Sequence, residues 1–334
     1  MKRWLGILIL IYTAAIATDV QVNEAGQIEA RGNDVRVFRG DASEPLFGSV
    51  VKVHDRVRFT AALPLVAGVI YRVELRMADG RWHTQPLRFE PVLSAAPTVS
   101  IAPSPTVLPA NALKFYLHFS HPMDQGVFLE RITLQRQDGS AVHGAFRETE
   151  LWSPDGRRLT LWLHPGRQKT GVNLHTDEGP VLKEREKHTL RIAANWRSTA
   201  GVAVGKETVF TFSAEAIDHD CPDPQRWLIA APKAGSRDPL TIRFDEPLDP
   251  AMLVSALKVK HGDREVQGGV AVAPDARSWS FTPALPWASG AGVLEIDPLL
   301  EDLAGNNLLG PFEVDRDAPK RAAQVASLRF EISR

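Results

Sequence analysis

Internal repetition is the feature that most constrains how this chain folds. One pair of matching segments is Leu117–Asp124 (LHFSHPMD) with Ile242–Asp249 (IRFDEPLD), followed at the same offset by Ile132–Leu134 with Leu257–Val259. A second pair is Val57–Leu65 (VRFTAALPL) with Trp279–Trp287 (WSFTPALPW). The chain therefore contains three copies of one unit, and the first copy is shortened at its start.

Within each copy, apolar residues alternate with polar ones over short runs. Examples are the runs Tyr71–Leu75, Phe115–Phe119 and Leu159–Leu163, and Asp-Gly dipeptides such as Asp138-Gly139 and Asp155-Gly156 separate such runs. A period of two between turn signals is typical of half-buried strands joined by hairpins. The sequence predicts an all-β chain of tandem immunoglobulin-like β-sandwiches, with short helical turns only near 125–130 and 249–255.

Proline-rich and polar stretches set the predicted boundaries. Residues 94–109 contain four prolines, and residues 216–224 are polar and interrupted by proline, as expected of connections between domains. The predicted organisation is a signal peptide at 1–17, a shortened Ig-like domain at 18–93, a second domain at 94–216 with an inserted loop at 167–184, a third domain at 217–315, and a C-terminal tail at 316–334.

The first residues predict export. Lys2 and Arg3 precede an uncharged run that ends in Ala15-Ile16-Ala17, a small-x-small cleavage pattern. The run is too short to span a bilayer comfortably, so a cleaved signal peptide is favoured over an uncleaved anchor. We expect no membrane span after cleavage, and the alternatives of a periplasmic, cell-surface or secreted protein stay open.

Charge and cysteine content exclude some partners and cross-links. The chain has 39 basic and 40 acidic residues, a balance that argues against nucleic acid as a partner because such binding needs a concentrated basic surface. Cys221 is its one cysteine, so an internal disulfide is excluded and the sandwiches depend on core packing.

The repeated motifs carry a family resemblance. Phe119–Asp124, Phe281-Thr282-Pro283 and Asp302–Asn306 (DLAGN) together resemble the bacterial Ig-like domain of S-layer proteins, the SbsA type. The third copy has the whole pattern, whereas the second has Ser198–Val202 (STAGV) in place of the DLAGN turn. The resemblance implies a seven-strand-like sandwich that acts as a spacer or contact module, in tandem copies within a secreted bacterial protein, and it supplies no catalytic residues.

The same motifs have a direct physical interpretation. Asp124 and Asp249 are placed to cap the helical turn that follows each of them. The Asp302 side chain can accept backbone N–H groups of its own turn, in which Gly305 and Asn306 tolerate a positive φ.

We expect a protein without catalytic activity. The sequence has no Gly-x-Ser-x-Gly elbow, no His-Glu-x-x-His, no phosphate loop and no Gly-x-Gly-x-x-Gly. Paired carboxylates such as Glu148 with Glu150 are typical of a solvated strand face.

One linker is rich in metal-ligating residue types. Asp218, His219, Asp220, Cys221 and Asp223 are nearly adjacent, whereas zinc sites use Cys and His pairs from separate elements. Calcium suits carboxylates in loops better, with Asp218, Asp220 and Asp223 as its ligands. A solvated interdomain loop is the interpretation favoured over both metals, so no cofactor is expected beyond this calcium hypothesis.

Aromatic residues and the inserted loop give a hypothesis for ligand binding. Trp162 faces outward if Leu159, Leu161 and Leu163 face inward, whereas Trp279 shares the inward position of Val57 and is assigned to the core. Loops on a rigid sandwich commonly determine specificity, and this loop and its surroundings supply Arg167, Lys169 and His175. Further tryptophans available for stacking on sugar rings are Trp152, Trp196, Trp227 and Trp287.

Two functions follow from these features. The favoured one is a non-catalytic cell-envelope or extracellular spacer or protein-contact module with an unknown protein partner. The alternative is a polysaccharide-binding module that uses the 167–184 loop and Trp162.

Overall fold

A computed structural model describes residues 20–23, 26–88, 95–168, 173–312 and 326–334. The predicted signal peptide at 1–17 lies outside these residues. The chain forms two compact units, one ending at Ser94 and the other running from Ala95 to the C-terminus, apart from residues 199–201. Each unit is an all-β structure, which confirms the predicted tandem sandwiches.

The described part of the first unit is a sandwich of two sheets. Its strands are β1 (Gln21–Val22), β2 (Ile28–Arg31), β3 (Asp34–Arg39), β4 (Gly48–Val53), β5 (Arg56–Ala61), β6 (Tyr71–Arg76) and β7 (Trp82–Leu87). One sheet has the order β1-β2-β5-β4 and the other β3-β6-β7. Alternate residues of β6 are buried, namely Tyr71, Val73 and Leu75, as the period of two predicts.

The second unit contains two sandwiches, of which the first has strands β8 to β15. These are β8 (Val99–Ala102), β9 (Val107–Pro109), β10 (Lys114–Phe119), β11 (Ile132–Arg136), β12 (Leu151–Trp152), β13 (Arg158–Trp162), β14 (Lys187–Ile192) and β15 (Thr208–Glu215). Short helices α1 (Phe128–Arg131), α2 (Pro165–Gln168) and α3 (Asn173–Glu178) connect them. The sheet orders are β12-β13-β10-β8 and β11-β14-β15-β9, and β9 pairs in parallel with β15. We call this the second sandwich.

The third sandwich has strands β16 to β23. These are β16 (Leu228–Ala230), β17 (Leu240–Arg243), β18 (Leu257–His261), β19 (Arg264–Glu265), β20 (Gly268–Val272), β21 (Ser278–Pro283), β22 (Gly290–Ile296) and β23 (Ala326–Ile332), with 3₁₀ turns at Pro224–Arg226 and Met252–Val254. The sheet orders are β16-β17-β21-β20 and β19-β18-β22-β23.

Strand β23 comes from the segment that the sequence assigns to a C-terminal tail, 316–334. It pairs with β22 along its whole length, from Gly290 opposite Ile332 to Ile296 opposite Ala326. Phe330 and Ile332 are buried in the core of the third sandwich. This segment therefore supplies a strand to the third sandwich.

The second and third sandwiches contain equivalent backbone hydrogen bonds at the repeated motifs. In the second sandwich these bonds run from Met123 N–H to Gly156 C=O, from Asp124 N–H to Arg197 C=O and from Ser198 N–H to Val202 C=O. Their counterparts in the third sandwich, in the same order, run from Leu248 N–H to Ala276 C=O, from Asp249 N–H to Glu301 C=O and from Asp302 N–H to Asn306 C=O. All six N···O distances lie between 2.8 and 3.1 Å. The sequence repeat is therefore a repeat of structure.

The two predicted caps have different outcomes. Asp249 Oδ1 accepts the N–H groups of Ala251 and Met252 at 2.9 Å, which confirms its predicted role at the 3₁₀ turn. The prediction is wrong for Asp124, because the carboxylate at the start of α1 is that of Glu150, which accepts from the N–H groups of 126–128. Glu150 also accepts from Trp152 Nε1 at 2.9 Å, so its interpretation as a residue of a solvated face is wrong too.

Within the described residues, no helix combines the length and apolar character required to cross a membrane.

Candidate functional site

A buried ionic network joins the second sandwich to the third. Lys114 at the start of β10 is 2.8 Å from Asp249 and 2.9 Å from Glu301, and the side chains of Lys114 and Asp249 are only 9% and 2% exposed. Tyr116 donates its hydroxyl to both oxygens of Asp249, at 2.8 and 2.9 Å. Because β10 belongs to one sandwich and both carboxylates to the other, these bonds fix the two together.

The protonation states of this network follow from its surroundings. Burial lowers the pKa of the Lys114 ammonium, but the charges and hydrogen bonds of Asp249 and Glu301 outweigh burial and raise the net pKa above its ordinary value. Burial, reinforced by Asp249, also raises the pKa of Tyr116, so its hydroxyl stays protonated and remains a donor. The network is therefore a charged pair whose acceptor oxygens are satisfied by donors.

We call the contact between the second and third sandwiches the joint. The ionic network is its first part, and the turn Asp302–Asn306 is its second part. Asp302 Oδ1 accepts the N–H groups of Ala304 and Asn306 at 2.8 and 2.9 Å, and its Oδ2 accepts from the Asn306 side chain at 2.8 Å. The predicted self-capping by Asp302 is confirmed. Gly305 has a φ of 85°, whereas Asn306 is not among the residues of positive φ.

Backbone contacts dock this turn on the second sandwich. The Leu113 N–H donates to the Leu303 carbonyl at 3.0 Å, and a Cβ added to Gly305 would overlap the Leu113 side chain. On the other side, Asn111 Nδ2 donates to the Asp218 carbonyl at 2.7 Å, and the Asp218 N–H donates back to Asn111 Oδ1 at 3.0 Å. The glycine is therefore required twice, for its positive φ and for its close approach.

Three carboxylates meet at this joint. Oxygens of Asp218, Glu246 and Asp302 all lie within 4.8 Å of one another; Asp302 is buried and the other two are half-buried. Burial, followed by repulsion from Asp302 and Asp218, raises the pKa of Glu246 to about 8. Burial raises the pKa of Asp302 to about 7 and also raises the pKa of Asp218.

Other charged groups surround the cluster. Asp220 and Asp245 add to the repulsion at Glu246, and His219 opposes the rise in the pKa of Asp218. Among the described residues, no donor forms a hydrogen bond with the Glu246 carboxylate, in contrast to Asp302. A cavity of about 560 Å³ opens beside the cluster, between β9 and the loop that carries Glu246.

The predicted calcium ligands are only partly brought together. Asp218 belongs to the cluster, but Asp223 accepts from the Gln225 N–H at the 3₁₀ turn and lies 3.5 Å from Arg226. Asp220 is exposed, and its N–H donates to Asp218 Oδ1. The cluster's other members, Glu246 and Asp302, come from distant parts of the chain, and the sequence assigned Asp302 to turn formation alone.

The oxygen donors of the cluster are of the class that calcium binds, but calcium takes six to eight of them in flexible geometry. Asp218 and Glu246 offer half-buried carboxylates beside a cavity, whereas the oxygens of Asp302 already accept three hydrogen bonds. Calcium binding therefore stays a prediction, with Asp218 and Glu246 as the residues placed to hold the ion.

The predicted ligand-binding residues have structural partners where they are described. Arg167 is buried, and its guanidinium donates to the backbone carbonyls of His143, Glu178, Gly179 and Pro180. These bonds hold the inserted loop against the sandwich. Lys169 and the side chain of His175 lie outside the described residues.

Trp162 faces out of its sandwich, as the alternation of β13 predicts. It is half-buried, and the Lys114 ammonium lies 4.9 Å from the centre of its ring, within the range of a cation–π contact. Lys114 is its cross-strand neighbour, so Trp162 borders the joint. Trp279 is fully buried, which confirms its assignment to the core.

The other candidate tryptophans pack inside the protein. Trp196, Trp227 and Trp287 are buried, and Trp152 is half-buried and lies against Phe119 and Trp196. Sequence reasoning missed the polar joint itself, since the residues that form it come from separate copies and no spacing relates them.

Comparisons with known proteins add little to this picture. No protein-family model matches the chain, and no curated protein matches it. Similar solved structures include native α2-macroglobulin from Escherichia coli, domains MG0-NIE-MG1, with 12% identity, a TM-score of 0.24 and 70% of each chain covered. They also include surface layer protein SbsC, domains 4–9, with 11% identity, a TM-score of 0.21, and coverage of 91% of this chain and 39% of that one. A third is the Dpr2 Ig1-Ig2 complex with DIP-Theta Ig1-Ig3, with 10% identity, a TM-score of 0.22, and coverage of 71% of this chain and 99% of that one.

Proposed function

We propose that this protein is an exported, non-catalytic spacer or protein-contact module of the cell envelope or extracellular space. Its Ig-like domains are proposed to be of the SbsA type on the strength of the repeated motifs. The observation that carries the proposal is the buried network of Lys114, Asp249 and Tyr116, which links two consecutive sandwiches. A module that spans distance benefits from joints that do not bend.

The buried ion pair at the joint supports a mechanical role. A buried ion pair contributes little net stability over apolar packing, but losing one partner leaves the other charge buried and uncompensated. Such a pair therefore favours one relative arrangement of the two sandwiches over alternatives. The repeated motifs supply its members: Asp249 ends the Ile242–Asp249 segment, and Glu301 precedes the Asp302–Asn306 turn.

The alternative, polysaccharide binding through the 167–184 loop and Trp162, has weaker support. The Lys114 ammonium over the Trp162 ring and the carbonyl bonds of Arg167 engage two of the residues that this alternative requires. A sugar would have to stack on the ring beside this cation.

Arrays of glycans and proteins probed with the mature chain, residues 18–334, test the choice. The spacer or contact module should bind no glycan saturably. Retention on one glycan that is lost in Trp162→Ala and kept in Trp82→Ala would establish the polysaccharide-binding alternative instead. Trp82 is a matched control, because it is an exposed tryptophan with Arg36 at 4.5 Å from its ring. Hydrolysis of a retained glycan would overturn both proposals.

A further inference from the structure

Strand β4 of the first unit is unusually exposed for a strand rich in valine. Among the described residues, it is the terminal strand of its sheet and pairs only with β5. Val50 and Val51, which point to opposite faces, are 45% and 53% exposed, and the preceding Phe47 is 88% exposed. Both faces and the outer edge of β4 are thus open in the described part of the chain.

The pattern of hydrogen bonds between β4 and β5 shows which backbone groups are on this open edge. The Ala62 N–H donates to the Phe47 carbonyl, and the pairing register continues to Val53 opposite Arg56. In an antiparallel pair, the residues that bond to the partner strand alternate. Residues 47, 49, 51 and 53 therefore bond toward β5, and the N–H and C=O groups of Gly48, Val50 and Lys52 point outward.

This edge lacks the features that usually prevent strand addition. Such features are proline, bulges, short strands or a charged side chain at the edge. Strand β4 has no proline, and its one charged residue, Lys52, donates to Asn33 Oδ1 at 3.2 Å. The corresponding strand of the second sandwich, β12, has two residues, and that of the third, β20, begins with two glycines and has half-buried valines.

We propose that β4 pairs in antiparallel fashion with β4 of a second copy of this chain, around a two-fold axis at Val50. In an antiparallel pair, the side chains of directly opposite residues lie on the same face of the sheet. A two-fold axis perpendicular to the sheet must therefore pass midway between two copies of the same residue. With Val50 at the centre, the outward groups of Gly48, Val50 and Lys52 in one copy meet those of Lys52, Val50 and Gly48 in the other. Every outward N–H and C=O of the strand is then paired.

Side-chain complementarity selects this register and a second copy as the occupant. Val50 faces Val50 and Phe47 faces Val53, so these apolar side chains meet one another, whereas Val51 faces Ser49. Lys52 faces Gly48, so no like charges are opposed. Centring the axis on Val51 would instead place Lys52 opposite Val50 and Phe47 opposite Asp55. This inference goes beyond the proposed function, because it concerns self-association through the first unit and not the joint.

Disulfide trapping tests the register. In a Cys221→Ser background, Val50→Cys places two thiols on the axis, where paired Cα atoms are about 5.5 Å apart and within disulfide range. Val51→Cys is the matched control, because residue 51 faces residue 49 in this register and its two copies are diagonal neighbours, at or beyond the limit of about 7 Å. Mild oxidation should give a covalent dimer with Val50→Cys and monomer with Val51→Cys. Equal cross-linking of both, cross-linking of Val51→Cys alone, or none would overturn the proposal.

Sedimentation of the mature chain tests the association itself. The wild type should change from monomer to dimer with rising concentration, and Val50→Lys should raise the dissociation constant by about tenfold or more, because like charges then face each other on the axis. Leu285→Lys, which changes an apolar residue that is 76% exposed in the third sandwich, should leave the dissociation constant unchanged. A wild type that stays monomeric at all concentrations, or equal effects of the two variants, would contradict the proposal. Circular dichroism checks that both variants fold.

Discussion

The aspartate that ends the repeated Phe-x-x-Pro-x-Asp segment has different neighbours in the second and third sandwiches. Both aspartates are buried, and both donate their backbone N–H to equivalent carbonyls. Asp249 caps its own turn and also binds Lys114 and Tyr116 of the other sandwich. In the second sandwich the capping carboxylate comes from Glu150, near β12. The repeat preserves backbone geometry, whereas the carboxylate that caps the following turn comes from a different residue in each sandwich.

The later turn shows the same contrast. In the third sandwich, Asp302 satisfies the N–H groups of its turn and the turn docks on Leu113. At the equivalent position of the second sandwich, the Ser198 hydroxyl is buried and has no hydrogen-bond partner in the described part of the chain. The backbone turn therefore forms with a serine at this position, but the serine side chain does not accept the hydrogen bonds of the turn as Asp302 does.

The largest expected effect comes from the joint aspartate. Asp249→Ala should lower the free energy of unfolding of the second unit by about 3–5 kcal/mol, because it leaves the buried Lys114 with Glu301, which is more exposed, as its one carboxylate partner among the described residues. Glu150→Ala, which removes only a cap and the bond to Trp152, should cost about 1–2 kcal/mol. Urea denaturation followed by tryptophan fluorescence measures both. Equal losses would mean that the joint contributes no more than a cap.

Gly305→Ala should have the next largest effect, about 2–4 kcal/mol. The added methyl group would overlap Leu113, and alanine is strained at a φ of 85°. Gly262→Ala is the control, because its φ is 61° and no atom of the described residues lies within 4 Å of the added Cβ, so it should cost only about 1 kcal/mol. The same denaturation experiment compares them, and similar losses would show that the close approach at the joint is not required.

The carboxylate cluster should make the joint less stable as the pH rises. The pKa values of Glu246 and Asp302 are raised in the folded state to about 8 and about 7, so the folded protein binds more protons than the unfolded chain. Stability contributed by the protonated carboxyls is therefore lost between about pH 4 and pH 8. Glu246→Gln should flatten this dependence in thermal melts, whereas Glu265→Gln, on an exposed strand, should leave it unchanged. A wild-type midpoint that rises over this range would contradict the assignment.

Calcium provides a second probe of the same cluster. If calcium binds at Asp218 and Glu246, millimolar calcium should raise the thermal midpoint at pH 8 and Glu246→Gln should abolish the rise. Magnesium at the same concentration serves as a control, since it prefers a smaller octahedral site. No shift with calcium, or a shift that persists in Glu246→Gln, would exclude these residues as the ligands.

The smallest expected effects come from one turn in its two copies. Gly156 and Ala276 occupy equivalent positions with φ values of 66° and 56°. Gly156→Ala should destabilise the protein by about 1 kcal/mol, whereas Ala276→Gly should be neutral or stabilise it by up to about 1 kcal/mol, because glycine adopts this conformation without strain. Loss of stability on Ala276→Gly would mean that burial of its methyl group outweighs the strain.

The sequence by itself determined the all-β class, the repeated unit and the local roles of several residues. The burial of Trp279 follows from the period of two along its strand. The caps formed by Asp249 and Asp302 involve backbone groups only a few residues away in the chain. Strand period and short spacings can be read from the sequence. Their physical basis is local geometry, which a short segment carries wherever it lies.

Only the tertiary structure decided which side chains meet at the joint. Lys114 and Asp249 come from different copies, as do Asn111 and Asp218, and no pattern in the chain relates their positions. No sequence pattern relates Glu246 to the other two carboxylates of the cluster either. For Trp162 the outward position was predicted, but its contact with Lys114 at the joint was not. Alternation fixes the face on which a side chain lies, but the packing of one sandwich on the next decides whether that face meets solvent or another domain.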